Sequence, residues 1–302
     1  MVVIRAGAGL RPRISVVIPA HGEGRLIAEA VESVQEAEPV ELVVVDDASN
    51  DAETTRVLAM LERKGTSIVR HEANEGVASA RMGGLAATSA PFVYPLDADD
   101  LAAPGVIGRM ADLLERHPDA AACVGDVHEF GDHQLRRVTP PRLDPYRIAY
   151  TNEYPITALY RRSSILAVGG WRKLGLHHGY NDWDLWMSLA EHGATIVHLG
   201  EVGYCRRLHG ERLNQQAQWR HRDLYAFMRD NHPGLFARLS EHRRQSDLPR
   251  IKRRLYPIVY GSRPRVPLQG TLKPWFDRFG IWTRALPAGP PPPKPLTRRT
   301  AL

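Results

Sequence analysis

Short β-branched runs alternate with amphipathic stretches along the first third of the chain, and acidic residues follow the runs. Ile14–Pro19 and Glu41–Val45 have the composition of buried strands, and Asp46 and Asp47 come directly after the second. Apolar residues at helical spacing fill the segment between the two runs. This alternation with short connections predicts parallel strands joined by right-handed crossovers, and therefore an α/β fold.

A third apolar run, Phe92–Leu96, ends in three carboxylates, Asp97, Asp99 and Asp100. The run predicts a strand covered on both faces, and ligands bind at the carboxyl ends of such strands in open α/β sheets. An Asp-x-Asp step puts oxygen donors on one side of an extended backbone, which suits a hard divalent cation that holds phosphates. Asp clusters are also ordinary turn and helix-cap chemistry, so a solvated acidic loop is the alternative.

The overall composition is that of a globular protein with a sizeable core. The 302 residues are 43% hydrophobic and 25% charged, which allows one large α/β domain or two smaller ones. The two cysteines indicate neither a disulfide framework nor a zinc site. Because no stretch has signal-peptide character or the roughly 20 apolar residues of a membrane span, we predict a cytoplasmic protein.

The positive charge is concentrated late in the chain. The net charge is +6, and residues 215–251 combine a helical pattern with many arginines. Beyond Pro257 the composition becomes Pro-rich and predicts a partly disordered tail. Within it, residues 268–284 mix aromatic and basic side chains, which favours either a segment lying on a membrane surface or one packed onto the main domain. We therefore predict peripheral contact with an anionic membrane at its cytoplasmic, inner face.

Six short motifs occur in a fixed order, and with them the chain resembles the family 2 glycosyltransferases. These are GT-A fold enzymes that transfer a sugar from a nucleotide-sugar donor, and the resemblance covers residues 14–209. The motifs are Val16-Val17-Ile18-Pro19, Val44-Val45-Asp46-Asp47-Ala48-Ser49, Asn74-Glu75-Gly76 with Ala80-Arg81, Leu96-Asp97-Ala98-Asp99-Asp100, Gly169-Gly170-Trp171 and Asn181-Asp182-Trp183-Asp184-Leu185-Trp186.

The resemblance implies a single GT-A type, Rossmann-like domain. Its sheet is expected to be mixed and mostly parallel, with flanking helices, and a basic helical extension is expected to follow. The predicted boundaries are an N-terminal arm at 1–13, the domain at 14–212 with a nucleotide-binding half at 14–101 and an acceptor half at 102–212, the extension at 213–256 and the tail at 257–302.

The resemblance also implies a donor site. It places Pro19, Ala20 and Glu23 around the nucleoside, Asp47 as acceptor of a hydrogen bond from the base, and Arg81 near the base and diphosphate. Asp97 and the adjacent Ala98 would contact the donor as well. A carboxylate suits the imide of uracil or thymine, or the N–H groups of guanine. The alternatives are that Asp46 or Asp47 caps the next helix, and that Arg81 is an exposed helical charge.

A divalent cation, Mn²⁺ or Mg²⁺, is the cofactor that the resemblance implies. Asp99 would be a direct ligand, and Asp97 would reach the donor ribose or a metal-bound water. After the last strand, Arg206-Arg207-Leu208-His209 resembles the family's Arg-x-His step, where the histidine or its neighbours close over the diphosphate or reach the metal. His209 is therefore a candidate ligand and Arg207 a candidate lid residue. A surface or core histidine is the alternative.

Asp182 occupies the position of the family's catalytic base. The family usually has a Glu-Asp pair here, and Asn181 replaces the Glu. Helix-dipole complementation is the alternative for Asp182, and Asp184 suits that role better. Trp183 and Trp186 would form a sugar-stacking wall unless they belong to the core.

Together these features predict an inverting glycosyltransferase of cell-surface glycan or glycoconjugate synthesis. The donor would be a UDP, dTDP or GDP sugar, and the acceptor a glycan, a lipid-linked glycan or a small molecule. Two alternatives stay open. A nucleotidyltransferase acting on sugar phosphates would need a Gly-rich basic loop that the first loop lacks. A nucleic-acid-binding protein would use residues 206–254, whose arginines are interspersed with acids, so we expect no nucleic acid.

Overall fold

The computed structural model describes residues 11–132, 134–174, 179–209, 221–260 and 285–287. The strands are β1 (Ile14–Ala20), β2 (Glu41–Asp46), β3 (Ser67–Arg70), β4 (Phe92–Pro95), β5 (Leu101–Ala102), β6 (Ala120–Gly131), β7 (Leu135–Arg137), β8 (Leu159–Arg161), β9 (Thr195–Leu208) and β10 (Ala285–Pro287). The helices are α1 (Arg25–Ser33), α2 (Ala52–Arg63), α3 (Val77–Ala86), α4 (Val106–Arg116), α5 (Pro145–Ile148), α6 (Arg162–Ala167), α7 (Asn181–Glu191), α8 (His221–Asn231), α9 (Pro233–Ala237), α10 (Leu239–Gln245) and α11 (Arg250–Tyr260).

The strands form one mixed sheet in the order β3-β2-β1-β4-β8-β6-β7-β10, and β9 pairs with β6 and β5. The pairings of β1 with β2 and β4, and of β2 with β3, are parallel. From β8 onward the path is antiparallel, whereas β9 runs parallel to β6. The predicted α/β domain with a mixed sheet and flanking helices is confirmed, and its parallel part is the first half of the chain.

Alternation along β1 and β2 explains why both faces of the sheet are covered. Val17 and Val43 belong to an apolar cluster that also contains residues of α3 and α7. Val16 and Val44 belong to a second cluster, with residues of α1, α2 and α4. Neighbouring side chains of a strand point to opposite faces, so a run of valines supplies both clusters at once.

Strand β9 is continuous from Thr195 to Leu208, although a glycine at position 200 is typical of a break between two strands. Gly200 has φ of 85°, and the pairing of β9 with β6 shifts register near it, so the strand bends without ending. The backbones approach closely at a glycine pair. A Cβ on Gly125 would lie 2.6 Å from the Cα of Gly203, and the Tyr94 hydroxyl donates to the Gly203 carbonyl at 2.8 Å.

The basic extension folds as α8 to α11, and its last helix continues past the predicted boundary at residue 256. Pro257 lies inside α11. Proline has no N–H for the carbonyl four residues earlier, which here is that of Arg253. That carbonyl accepts the Tyr146 hydroxyl at 2.6 Å instead, so the helix runs on to Tyr260.

Part of the predicted tail returns to the sheet, because β10 pairs antiparallel with β7. Three parts of the predictions lie outside the described residues: residues 1–10 of the arm, residues 210–220, and the whole predicted membrane segment 268–284. Among the helices that the structure describes, none combines the length and the apolar character that crossing a membrane requires.

Candidate active site

Asp47 lies at the end of β2 and organises the loop that begins α3. It is 3% exposed, its Oδ1 accepts from Glu75 N–H at 2.9 Å, and its Oδ2 accepts from Gly76 N–H at 2.7 Å. His71 Nδ1 donates to Oδ1 at 2.7 Å. Burial alone would raise the pKa of Asp47, but these hydrogen bonds outweigh burial and lower the pKa below its ordinary value. Asp47 is therefore an anion fixed at the edge of the sheet.

Neither Asp46 nor Asp47 caps the helix that follows. Asp51 is the cap of α2, and its Oδ1 accepts from Thr54 N–H at 2.7 Å. Asp46 Oδ1 accepts from Ser49 N–H at 2.9 Å, which is a local turn contact. The capping alternative for these two residues is wrong, because the turn after β2 places Asp51 at the helix start.

The loop after β1 is held against Asp47 and the Asn74 loop by His21. Its Nδ1 donates to the Asp47 carbonyl at 2.8 Å, and its Nε2 accepts from Asn74 Nδ2 at 3.0 Å. Glu23 Oε2 accepts from His21 N–H at 2.5 Å. Pro19 and Ala20 are the buried last residues of β1. The unusual His21 thus fixes the loop in which Glu23 lies.

The three carboxylates after β4 have different surroundings. Asp100 is 4% exposed and accepts from Arg207 N–H at 2.8 Å. Burial raises the pKa of Asp100 well above its ordinary value, and the charges of Asp99 and Asp97 raise it further. Burial also raises the pKa of Asp99, Asp97 adds to that rise, and His209 partly offsets it. Asp99 is the more exposed of these two and faces His209, with 3.1 Å between Oδ2 and Nε2.

Glu23 belongs to the same electrostatic group. Burial raises the pKa of Glu23, and the charges of Asp99 and Asp97 contribute to the rise, although the His21 N–H lowers it. Glu23, Asp97 and Asp99 thus concentrate negative charge at this edge of the sheet, and a cation placed there would relieve their repulsion.

Arg81 is a buried cation that connects the two halves of the domain. It is 3% exposed, so the exposed-charge alternative is wrong. One guanidinium nitrogen donates to Asp97 Oδ1 at 2.6 Å, and another donates to Asn181 Oδ1 at 3.0 Å. Asn181, at the position where the resemblance expects Glu, therefore gives Arg81 a neutral acceptor next to the start of α7.

Asp182 follows immediately in α7 and is half-buried. Its Oδ2 accepts from Asn152 Nδ2 at 3.0 Å, and its Oδ1 accepts from Trp183 N–H at 2.8 Å. Burial raises the pKa of Asp182, while the Trp183 N–H and Arg81 lower it and Asp97 raises it. A carboxylate with a raised pKa is a better proton acceptor, as a general base requires.

The two tryptophans of α7 belong to the core, not to a sugar-stacking wall. Trp183 is 5% exposed and its indole N–H donates to the Ile148 carbonyl at 2.6 Å. Trp186 is fully buried and donates to the Pro155 carbonyl at 3.0 Å. Both rings face inward because α7 lies over the sheet in the apolar cluster.

Asp184 forms a buried ion-pair network that joins α7 to the extension. It is fully buried, and Arg172 donates to its two oxygens at 2.8 and 2.9 Å. His232, before α9, lies 3.0 Å from Asp184 through Nε2 and 3.0 Å from Glu191 through Nδ1. The network explains the position of Asp184 better than helix-dipole complementation does.

Arg207 is anchored beneath the carboxylates and not free to close over them. Its guanidinium donates to Glu29 at 2.6 Å and to the Asp99 carbonyl at 3.0 Å, and it lies over the Phe130 ring at 4.8 Å from the centroid. As a lid residue it would have to break all three contacts, so the structure places it as a support of the Asp99 turn.

A divalent cation fits the donor set formed by Asp99 and His209. Both are partly exposed, and both offer ligand atoms of the kinds that Mn²⁺ accepts. In the described part of the chain no three His, Cys, Asp or Glu side chains are grouped as a metal site. Mg²⁺-type sites of phosphate-transferring enzymes commonly use one or two protein ligands, with substrate phosphates and water completing the shell.

Sequence reasoning missed three residues of this site. Asn152 contacts Asp182, Asn181 contacts Arg81, and His71 contacts Asp47. His71 directly follows β3, so the rule that strand ends meet at one edge would have found it. Asn152 lies in an irregular connection and carries no periodic or spacing signal.

The comparisons with known proteins agree with this geometry. The family described as Glycosyl transferase family 2 matches residues 15–168, and the chain belongs to that family. The succinoglycan biosynthesis protein ExoO of Rhizobium meliloti is 33% identical over 138 residues, which is 44% of this chain and 38% of that relative, well under two thirds of its length.

Two solved structures share the fold. S. aureus TarS 1-349 in complex with UDP-GlcNAc has a TM-score of 0.58 at 19% identity, and covers 80% of this chain and 69% of that one. Mannosyltransferase PcManGT from Pyrobaculum calidifontis in complex with GDP-Man and Mn²⁺ has a TM-score of 0.56 at 17% identity, covering 89% and 81%. The architecture is thus the GT-A fold that the resemblance implied.

Proposed function

We propose that the chain is an inverting glycosyltransferase that uses Asp182 as general base on an acceptor hydroxyl. The observation that carries the proposal is the Arg81 bridge, because one buried side chain contacts Asp97 of the donor half and Asn181 beside Asp182. The bridge supports a single site that contains the carboxylates after β4 and the proposed base of α7.

In the proposed reaction the acceptor oxygen attacks the anomeric carbon from the side opposite the nucleoside diphosphate. The C–O bond to the diphosphate breaks as the glycosidic bond forms, and the hydroxyl proton goes to an Asp182 oxygen. A single displacement inverts the anomeric centre and needs no covalent enzyme intermediate. Asn152 holds the Asp182 carboxylate in place for the transfer.

Asp99 and His209 are the proposed holders of a divalent cation, Mn²⁺ or Mg²⁺. When bound, the cation neutralises charge that develops on the departing diphosphate. The raised pKa values of Asp99 and Glu23, to both of which the Asp97 charge contributes, support a cationic partner at this edge. The PcManGT complex contains Mn²⁺, which is in keeping with the proposal.

The proposed donor is a UDP, dTDP or GDP sugar, bound by Pro19, Ala20, Glu23, Asp47 and Arg81 with Asp97 and Ala98. TarS and PcManGT were solved with UDP-GlcNAc and GDP-Man, which supports a nucleotide-sugar donor. The name of ExoO supports a role in surface-polysaccharide synthesis. The acceptor is a glycan, a lipid-linked glycan or a small molecule, and peripheral contact with an anionic membrane remains part of the proposal.

The test is a thermal-shift panel of uridine, thymidine and guanosine diphosphates and their sugars, with and without Mn²⁺. One nucleotide series should raise the unfolding midpoint, more so with Mn²⁺, because a ligand that binds the folded state stabilises it. Turnover should then release the nucleoside diphosphate. Release of pyrophosphate would instead identify a nucleotidyltransferase, and full turnover by Asp182→Asn would remove the assigned base.

A further inference from the structure

Helix α11 has an apolar stripe on its outward face. Ile251 is 73% exposed and Ile258 is 61% exposed, the two most exposed large apolar side chains in the described part of the chain. With Leu255 they occupy positions i, i+4 and i+7, so they share one side of the helix. Tyr256 and Tyr260 are buried on the opposite side.

Basic side chains flank this stripe. The helix sequence contains Arg250, Lys252, Arg253 and Arg254 and no acid, and Arg250 and Arg254 are exposed. Arg253 donates to the last carbonyls of α10, which brings the exposed Arg243 and Arg244 next to α11. An apolar stripe bordered by cations is the arrangement of helices that lie in the interface of an anionic bilayer.

We infer that this outward face of α11 binds an anionic membrane surface, through insertion of Ile251 and Ile258 and attraction of the flanking arginines to lipid phosphates. Leu255 lies between them and is partly buried against the tyrosine cluster beneath the helix. A lipid surface fits this face better than a protein groove, because the exposed charges on α11 and at the end of α10 are arginines, with one exposed acid, Asp247, in the connection between the two helices. The inference rests on the proposed function, in which it favours an acceptor that is itself carried on a membrane lipid.

The position of α11 connects the membrane face to the acceptor half. Tyr256 donates to Glu153 Oε2 at 3.0 Å, and Tyr146 donates to the Arg253 carbonyl at 2.6 Å. The segment between these two contacts carries Asn152, which touches Asp182. Docking through α11 therefore sets the proposed base at a fixed position relative to the lipid surface.

Flotation of the full chain with vesicles tests the inference directly. Vesicles of phosphatidylglycerol mixed with phosphatidylcholine should carry the protein, and the double variant Ile251→Asp with Ile258→Asp should reduce binding by about tenfold or more. Leu166→Asp is the matched control, because Leu166 is 56% exposed but belongs to α6 and not to the apolar stripe. This variant should bind the vesicles as the parent does. Equal binding by the double variant and the parent would overturn the inference.

A site-specific probe gives a second readout. Both native cysteines, Cys123 and Cys205, are buried, so a single introduced cysteine can be labelled selectively. A polarity-sensitive dye on Ile258→Cys should shift to the blue with anionic vesicles, and the dye on Leu166→Cys should not. If the dye at 258 is already in an apolar environment without vesicles and stays unchanged with them, another part of the chain covers the stripe and the inference fails.

The outcome is separable from that of the proposed function. Nucleotide-induced thermal shifts are measured without vesicles. If the protein binds nucleotide normally but does not float with vesicles, only the membrane-binding inference is refuted. If the protein floats with vesicles but binds no nucleotide, only the proposed nucleotide-sugar donor is refuted. Raised salt should weaken flotation, because the arginine contribution is screened.

Discussion

The donor half and the acceptor half hold their functional carboxylates by different means. Asp47 and Asp100 in the donor half accept backbone N–H groups, from the loop before α3 and from strand β9 respectively. Asp182 and Asp184 in the acceptor half contact side chains from distant segments, those of Asn152, Arg172 and His232. Asp47 and Asp100 are thus set mainly by the course of the backbone. Asp184 depends on particular side chains, as Asp97 and Asp99 do through Arg81 and His209.

This difference implies different sensitivity to mutation. A backbone donor is present whatever the residue type, so Asp47 and Asp100 should tolerate many substitutions at the residues that donate to them. A side-chain partner vanishes with a single substitution and leaves a buried charge behind. The following predictions test that difference.

The largest effect is expected at Asp182. Asp182→Asn keeps the shape of the side chain but cannot accept the hydroxyl proton, so turnover should fall by about 10²- to 10⁴-fold. The unfolding midpoint with nucleotide should stay near that of the parent. Initial rates and thermal shifts measure the two quantities, and Asp230→Asn, at a highly exposed acid, is the control. A matching loss of nucleotide binding would contradict the separation of the halves.

The next effect concerns stability. Asp184→Ala leaves Arg172 and His232 without their buried partner, and the free energy of unfolding should fall by about 3–5 kcal/mol. Urea titration measures it. Glu62→Ala removes an ion pair with Arg70 in which both side chains are about half exposed, and it should cost far less. Equal losses for the two variants would show that the buried network is not what holds the extension.

Arg81 tests the contact between the halves. Arg81→Lys cannot reach Asp97 and Asn181 together, because lysine lacks the planar fork. We expect kcat/KM to fall roughly tenfold to hundredfold, the size of one lost charged hydrogen bond. A double-mutant cycle with Asn181→Ala should give a coupling of about 0.5–3 kcal/mol in transition-state free energy. Strict additivity would mean that the bridge is incidental.

The smallest effect is a change of pH profile. Activity should fall as the pH falls through the raised pKa of Asp182, since the base must be ionised. Asn152→Ala removes a donor to the Asp182 carboxylate, which raises that pKa further and moves the acid limb to higher pH. The dependence of kcat/KM on pH gives the position of the acid limb. The acid limb of Asn152→Gln, whose side chain can still donate a hydrogen bond, should lie between those of the parent and Asn152→Ala. A limb of Asn152→Ala at lower pH than the parent's would refute the role of Asn152 as a donor to Asp182.

Much of the donor half could be predicted because its signals are local. Strands β1 and β2 begin and end within one residue of the predicted bounds, since β-branched runs and strand-end acids mark them. The resemblance located Asp97 and Asp99 together with their partners Arg81 and His209, and it located Asp182 without Asn152. Asn152 and His232 lie far along the chain from the residues they contact, and a single sequence contains no sign of such pairs.

The burial of Trp183 and the length of β9 show two other limits. An aromatic residue at the start of a helix can either line a sugar-binding site or belong to the core. Only the packing of α7 against the sheet shows that Trp183 belongs to the core. Gly200 reads as a break between two strands, yet a glycine at positive φ also permits a bend within one.

The glycine contact between β6 and β9 has a consequence for anyone who wishes to retarget this protein. Neither Gly125 nor Gly203 can accept even a methyl group without displacing the facing main chain. A library that diversifies these two strands should therefore keep both glycines invariant and randomise only outward positions, or most of its clones will fail to assemble a sheet before any new specificity can be selected.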